Sequence, residues 1–313
     1  MEDSRRGTKI VTPLKYTSFI QFIMKVGLIG TGMLGAAVGL RILDKTQLVV
    51  QNRTKQKTKP LEKKGAIVVD YPKQVASKCD LIITCVKDAD ALRDISFGED
   101  GIIQNKHDGL TVCDMSTINP ISSKEIAKKF SDEGITMLDI PVMGGPNVAI
   151  NGKLVMMAAG DEQKFEKFKG IFEIIADKIF YLGKNGTAHL IKLAMNLQIA
   201  MLAVSLSEGI TLARGASIEP KIFLDILNST YFKTGMSEKK AYKMIDDMFE
   251  PTFFLKNLKK DLHTINESAK SFDLRLPMSS LAEQIYQKAV EEGFGDLDYT
   301  GILKYLKNST KLA

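Results

Sequence analysis

Two features of the chain have the residue types and spacing to do chemistry: a glycine turn able to cradle an anion, and a lysine placed where a charge is costly. The turn is Gly30-Thr31-Gly32-Met33-Leu34-Gly35, directly after the apolar run Lys25–Ile29. Gly30 permits a tight turn, Gly32 has no Cβ to keep the backbone from a pyrophosphate, and Gly35 lets a helix lie close on the strand. The unpaired N–H groups at that helix start face the anion. A bare G-x-G-x-x-G is a weak signal, but a strand before it, a helix after it and further strands downstream make it a dinucleotide site. The lysine is Lys192, at the head of an otherwise apolar stretch containing Leu193, Ala194, Met195 and Leu197. A charge there costs free energy unless it has a partner or a task. Asn196, four residues on, shares its helix face. The plainer reading of the pair is a helix-start lysine and a core amide.

Around these lie three more segments. The run Leu48–Gln51 ends in Asn52-Arg53-Thr54, about 20 residues past the glycines, where an NAD site places an acid for the ribose 2′-hydroxyl. No acid is present. Arg53 offers a fork of donors to a 2′-phosphate, Asn52 and Thr54 can bond the same group, and Lys55 and Lys57 add positive potential, so NADP is expected over NAD. Asp114-Met-Ser-Thr-Ile-Asn-Pro120 and Asp139-Ile-Pro-Val-Met-Gly-Gly145 each close a strand-like run, and ligands of open α/β sheets bind at strand carboxyl ends. In the second, the two glycines can present N–H groups to a carboxylate. Val86 and Lys87, at the end of the run Leu81–Val86, are further expected cofactor contacts.

The elements that must hold these residues read clearly. Apolar runs at Val26–Ile29, Leu48–Gln51, Ala66–Val69, Leu81–Val86, Thr111–Met115, Ile135–Asp139, Leu154–Ala158 and Lys178–Leu182 alternate with helical stretches such as Leu34–Leu43 and Ile121–Phe130. Continuous apolar runs suit strands buried on both faces. Asn119 and Pro120 are suited to cap and start the second of those helices. The alternation predicts an α/β fold, a Rossmann-like doubly wound parallel sheet, over residues 25–185. Strand signals then stop. A long helix is expected over Thr187–Arg214, followed by helices at Pro220–Leu227, Lys239–Met248, Leu255–Lys270, Ser280–Glu292 and Tyr299–Leu306, so residues 186–313 read as an all-α domain. Residues 1–24 read as a polar N-terminal extension, with Met24 as the functional start.

Composition bounds the function. Of the 313 residues, 44% are hydrophobic and 26% charged, which excludes a disordered chain and a small disulfide scaffold. The net charge is +6, and half of it comes from Arg5, Arg6, Lys9, Lys15 and Lys25 against Glu2 and Asp3 in the first 25 residues. So mild a balance does not point to nucleic acid. Cys79, Cys85 and Cys113 form no C-x-x-C pair and read as small buried hydrophobes. His107, His189 and His263 show no metal-ligand spacing, so no metal is expected, and His189 reads as a bystander three residues before Lys192. The apolar stretch Leu193–Ser207 is shorter than the roughly 20 residues of a membrane span, so no membrane is expected. The initial segment lacks the apolar core of a secretory signal, and Glu2 and Asp3 count against a transit peptide. A cytoplasmic location is expected, with the mitochondrial matrix as the alternative.

Taken in order, the glycine fingerprint, D-x-S-T-x-x-P, D-x-P-V-x-G-G, Gly186-x5-Lys192-x3-Asn196 and Phe253-x6-Lys260-Asp261-Leu262 resemble the 3-hydroxyisobutyrate dehydrogenase family, the β-hydroxyacid dehydrogenases related to 6-phosphogluconate dehydrogenase. The resemblance runs from Lys25 almost to the C-terminus. It implies a homodimer or homotetramer, a Rossmann-like domain, an all-α domain for substrate and oligomerisation, and reversible hydride transfer between NAD(P) and a short hydroxy acid or its aldehyde or keto acid. It makes Lys192 the catalytic acid/base, with Asn196 orienting the substrate hydroxyl or Lys192. Ser116 and Thr117 become substrate or nicotinamide contacts, Gly144 and Gly145 carboxylate binders, Phe253 a wall of the substrate pocket, and Lys260 and Asp261 residues beside the cofactor. Chemistry agrees with the lysine's role, since an alkoxide formed by hydride delivery needs a proton and a positioned ammonium both stabilises the charge and supplies it. Met143 departs from the pattern, standing where the family has Ser, and removes a hydroxyl from the carboxylate site. Two alternatives stay open: an imine reductase of the same architecture, which Lys192 disfavours and Met143 keeps in view, and a non-catalytic dinucleotide-binding module.

Overall fold

The computed structural model describes residues 9–11 and 24–309. Among the described residues ten strands are present: β1 (Lys9–Val11), β2 (Val26–Ile29), β3 (Leu48–Gln51), β4 (Ile67–Val68), β5 (Leu81–Thr84), β6 (Thr111–Asp114), β7 (Thr136–Asp139), β8 (Val142–Met143), β9 (Leu154–Ala158) and β10 (Ala176–Tyr181). Between and after them run helices α1 (Met33–Leu43), α2 (Lys59–Glu62), α3 (Pro72–Ala76), α4 (Ala89–Phe97), α5 (Pro120–Asp132), α6 (Pro146–Ala149), α7 (Glu162–Ile175) and α8 (Thr187–Gly215). The rest are α9 (Pro220–Asn228), α10 (Gly235–Lys239), α11 (Ala241–Ile245), α12 (Leu255–Lys270), α13 (Pro277–Glu291) and α14 (Ile302–Ser309). The chain divides into two compact units, residues 1–192 and 193–313, and the division falls inside α8.

In the first unit six parallel strands form one sheet in the order β4-β3-β2-β5-β6-β7. Both faces are covered: Leu28, Val50, Ile83, Cys113 and Leu138 enter one core cluster, and Val49, Ile82, Val112 and Met137 enter the other. That is why the strands are apolar at successive positions rather than at alternate ones. Strand order reverses between β2 and β5, the place where such sheets open a crevice for ligands at their carboxyl ends.

The single parallel sheet expected over residues 25–185 needs one correction. The runs expected at Leu154–Ala158 and Lys178–Leu182 fall instead in a second sheet of order β1-β10-β9-β8, in which β9 and β10 are parallel while β8 and β1 pair antiparallel. The chain leaves β7 through Pro141, which has no N–H to extend a ladder. The Pro141 carbonyl instead accepts from Met157 N–H, and Asp139 and Ala159 bridge the two sheets. β8 has only two residues, too few to register as an apolar run. β1 lies inside the segment read as an extension; the rest of that reading up to residue 23 lies outside the described residues.

The second unit is helical. Leu193, Ala200 and Ala203 of α8 are buried with Leu258 and Leu262 of α12 and Ala282 and Tyr286 of α13. The helix expected over Lys239–Met248 is broken: α10 and α11 meet at Lys240, whose backbone departs to φ −108°. The Lys240 ammonium is drawn onto buried Asp298 at 2.9 Å and over the Tyr299 ring at 4.1 Å. Of the described helices, α8 alone is long and apolar enough to cross a membrane by length and composition, being longer than the run Leu193–Ser207 that the sequence marks. A core helix meets the same test, and Leu193, Ala200 and Ala203 of α8 are buried in the second unit.

Candidate active site

The glycine turn begins where β2 ends. Gly30 takes φ +99°, and a Cβ there would collide with the Cys85 carbonyl. This is a backbone conformation L residues rarely adopt. A Cβ on Gly35 would strike the Gly30 carbonyl, so its absence lets α1 start against the strand. Gly32 is different: nothing lies within 4 Å of where its Cβ would stand. Thr31 Oγ1 is buried with no hydrogen-bond partner among the described residues. Open space above one glycine and an unmet hydroxyl beside it fit a bound pyrophosphate. Thr31 N–H donates to Asn52 Oδ1 (2.9 Å), and Asn52 Nδ2 to the Thr54 carbonyl (2.9 Å), fixing the end of β3 against the turn. Met33, Arg53, Thr54, Lys55 and Lys57 are exposed there, and Lys55 pairs with Asp70 at 2.5 Å. At the neighbouring strand end, Val86 N–H donates to Ser116 Oγ (2.9 Å), and Lys87 is exposed.

Asp114 and Asp139, both fully buried, end adjacent strands. Asp114 Oδ1 accepts from Thr84 Oγ1 (2.6 Å) and Ser116 Oγ (2.7 Å). Burial pushes its carboxyl above the ordinary range, against the pull of His189, Thr84 and Ser116. Asp139 accepts from Ser123 Oγ (2.7 Å), Asn185 Nδ2 (2.9 Å) and the N–H of Gly186, which brings the start of α8 to the end of β7. His189, one turn into α8, is fully buried between the two carboxylates. Sequence reasoning treats it as a bystander; its spacing of three from Lys192 was the one available signal. The next turn carries half-buried Lys192, whose ammonium contacts Met143 Sδ at 3.1 Å. Met143 packs beside Met157, Ala159 and Ala188, and Gly144 follows it at φ +122° with Val148 and Leu154 around it. The first unit therefore brings Lys192 to the Met143–Gly145 segment, and Ser116 to Val86.

In the second unit Asn196 is buried and its amide donates to Asp261 Oδ2 at 2.7 Å. Asp261 is buried too, and its other oxygen pairs with Lys260 at 2.8 Å. Three expected site residues are thus bound to one another. Phe253 lies against Tyr299 with ring centroids 6.1 Å apart. Asp298, which the sequence did not mark, holds the Phe253 segment in place: it accepts from Thr252 N–H and Oγ1, Phe253 N–H, Thr300 and Lys240. The thiols of Cys79 and Cys85 are pushed up to about 12 by burial, and burial also holds that of Cys113 well above its ordinary value, so none is a ready nucleophile. Among the described residues no group of His, Cys, Asp and Glu is arranged to hold a metal ion.

Comparison with known proteins bears on the whole arrangement. The family model for the NAD binding domain of 6-phosphogluconate dehydrogenase matches residues 25–183, and that for the NAD-binding domain of NADP-dependent 3-hydroxyisobutyrate dehydrogenase matches residues 186–306. An uncharacterized oxidoreductase of Bacillus subtilis, YfjR, is 31% identical across 91% of this chain and 100% of its own. The chloroplastic glyoxylate/succinic semialdehyde reductase 2 of Arabidopsis thaliana is 28% identical across 91% of this chain and 80% of its own. In fold, the chain is similar to the crystal structure of a 3-hydroxyisobutyrate dehydrogenase from Salmonella typhimurium, with a TM-score of 0.82 at 24% identity, covering 90% of this chain and 99% of that one. With the parallel sheet, the glycine turn and the helical second unit in place, these matches make the chain a member of the 3-hydroxyisobutyrate dehydrogenase family and an NAD(P)-dependent hydroxyacid dehydrogenase.

Proposed function

We propose that the protein reduces short aldehyde or keto acids, and oxidises the matching hydroxy acids, with NADP preferred over NAD and Lys192 as the acid/base. The observation that carries the reading is the Lys192 ammonium lying 3.1 Å from Met143, next to the glycine pair Gly144–Gly145. A carboxylate on the N–H groups of Gly144 and Gly145 leaves an adjoining carbonyl within reach of that ammonium. The bound dinucleotide supplies a hydride to the carbonyl carbon. Lys192 donates a proton to the alkoxide oxygen, and in the oxidative direction its neutral amine takes the proton back. Ser116 and Thr117 line the carboxyl end of β6, and Asn196, held by Asp261, orients the substrate hydroxyl. Preference for NADP rests on Arg53, Asn52 and Thr54 at the end of β3, where no acid stands to repel a 2′-phosphate. The thioether of Met143 accepts weakly where a hydroxyl would bond a carboxylate, so an acid with an apolar or short chain is the expected substrate. The Rossmann-like domain of this reading spans residues 25–185 and the all-α domain 186–313, acting as a homodimer or homotetramer in the cytoplasm.

The test is a panel of two- to four-carbon hydroxy and aldehyde acids, including glyoxylate and succinic semialdehyde. Initial rates are followed by nicotinamide absorbance with NADP and NAD in parallel. The reading requires turnover with at least one acid and a lower KM for the phosphorylated cofactor. Binding of NADPH with no turnover across the panel would favour a binding module instead.

A further inference from the structure

We infer that His189 is a positioning residue: a buried imidazole set against Asp114 and Asp139 that fixes the first turn of α8 to two strand ends and thereby aims Lys192. The ring is fully buried, with Nε2 at 3.5 Å from Asp114 Oδ2 and 3.7 Å from Asp139 Oδ1. Neither ring nitrogen has a hydrogen bond among the described residues, and neither does Asp114 Oδ2. Buried polar atoms are almost always paired. Both carboxylates approach the same nitrogen, so a proton on Nε2 points toward Asp114 Oδ2 and Asp139 Oδ1 and ties both strand ends to α8. Other groups also face this cluster. Cys113 on β6 stays a neutral thiol, raised by burial and by both aspartates. Ser123 on α5 donates to Asp139, the stem of Lys124 lies against Gly186, and Lys192 one turn on contacts Met143.

The geometry gives the clamp its consequence. Asp114 is tied through Ser116 to the backbone of Val86 at the crevice, and Asp139 to Asn185 and Gly186 at the head of α8. His189 joins the two carboxylates from the helix side, and residues three apart on a helix lie on one face. Rotation or sliding of the first turn of α8 would carry Lys192 away from Met143–Gly145 and would break the triad.

The inference rests on Lys192 being the acid/base, and the experiment separates the two. In the NADPH-bound protein labelled with 15N-histidine, the His189 ring is assigned by subtraction using His107→Gln and His263→Gln. We expect the His189 ring to carry its proton on Nε2, facing the two carboxylates; a ring with Nε2 bare at pH 7 overturns the inference whether or not any variant folds. In steady state, His189→Asn is expected to lower kcat tenfold or more with the KM for NADPH within twofold. A folded His189→Asn with wild-type kcat, beside an inactive Lys192→Ala, overturns the positioning role alone. Full activity in Lys192→Ala breaks the acid/base reading while the position of the ring's proton is still read by resonance.

Discussion

Two buried aspartate clusters, one in each unit, are built to opposite specifications. Asp298 in the second unit is saturated: Lys240 reaches both of its oxygens at 2.9 Å, and Thr252, Phe253 and Thr300 complete the shell. Among the described residues, Asp114 in the first unit has one oxygen without a hydrogen bond, and it faces a histidine whose two nitrogens have none. A saturated buried carboxylate is a staple that holds irregular backbone, here the turn leading to Phe253. An unsaturated one persists only where something else depends on it. On the reading proposed above, the difference separates the part of the molecule that shapes a wall from the part that aims a charge.

Breaking the staple should have the largest effect on stability. Asp298→Ala leaves the Lys240 ammonium, itself lowered by burial, without its carboxylate. Removing one partner of a buried pair costs about 3–5 kcal/mol. Thermal or urea unfolding should register a loss of that size in the folded chain, and a loss below about 1 kcal/mol would demote the cluster to an ordinary surface pair. If Arg53 holds a 2′-phosphate as proposed, Arg53→Ala removes charge-assisted bonds each worth about 1.5–3 kcal/mol. The KM for NADPH should rise by roughly tenfold or more, with the KM for NADH changed little. Met143→Ser should act more gently and in the opposite sense, lowering the KM for carboxylate substrates by up to about tenfold through a restored hydroxyl. Unchanged KM values would show that Met143 does not border the substrate.

The smallest effect is also the sharpest contrast. In Asp298 the pull of burial upward is outweighed by Lys240 and its other donors, so its carboxyl sits below the ordinary range. It contributes stability above the unfolded value of about 3.9, and that contribution is lost as pH falls through the depressed value. Asp114 is raised, so its ionisation costs stability at neutral pH and acid relieves the cost. Melting temperature followed from neutral pH into acid should therefore fall less steeply in Asp298→Asn than in wild type, and more steeply in Asp114→Asn. Parallel curves for both variants would erase the distinction.

Most of the first unit was legible in the sequence because strands buried on both faces leave long apolar runs and the glycine turn is local. β2, β3 and β9 fall on residues read directly from those runs. The second sheet was not, because β8 is two residues long and β1 lies in a polar segment. The Lys192–Met143 contact joins residues 49 apart, and the His189 triad joins three segments, so only the fold reveals them. Asp298 was invisible for the same reason: its main partner, Lys240, is 58 residues away, and the helix break it causes leaves no mark in the local pattern.

The most direct measurement is single-turnover reduction of an accepted aldehyde acid by Lys192→Ala preloaded with NADPH, with cofactor binding checked by nicotinamide fluorescence. An acid/base lysine predicts a rate lower by about 10²–10⁴-fold with NADPH affinity unchanged. Turnover at the wild-type rate would contradict the assignment of the proton to Lys192.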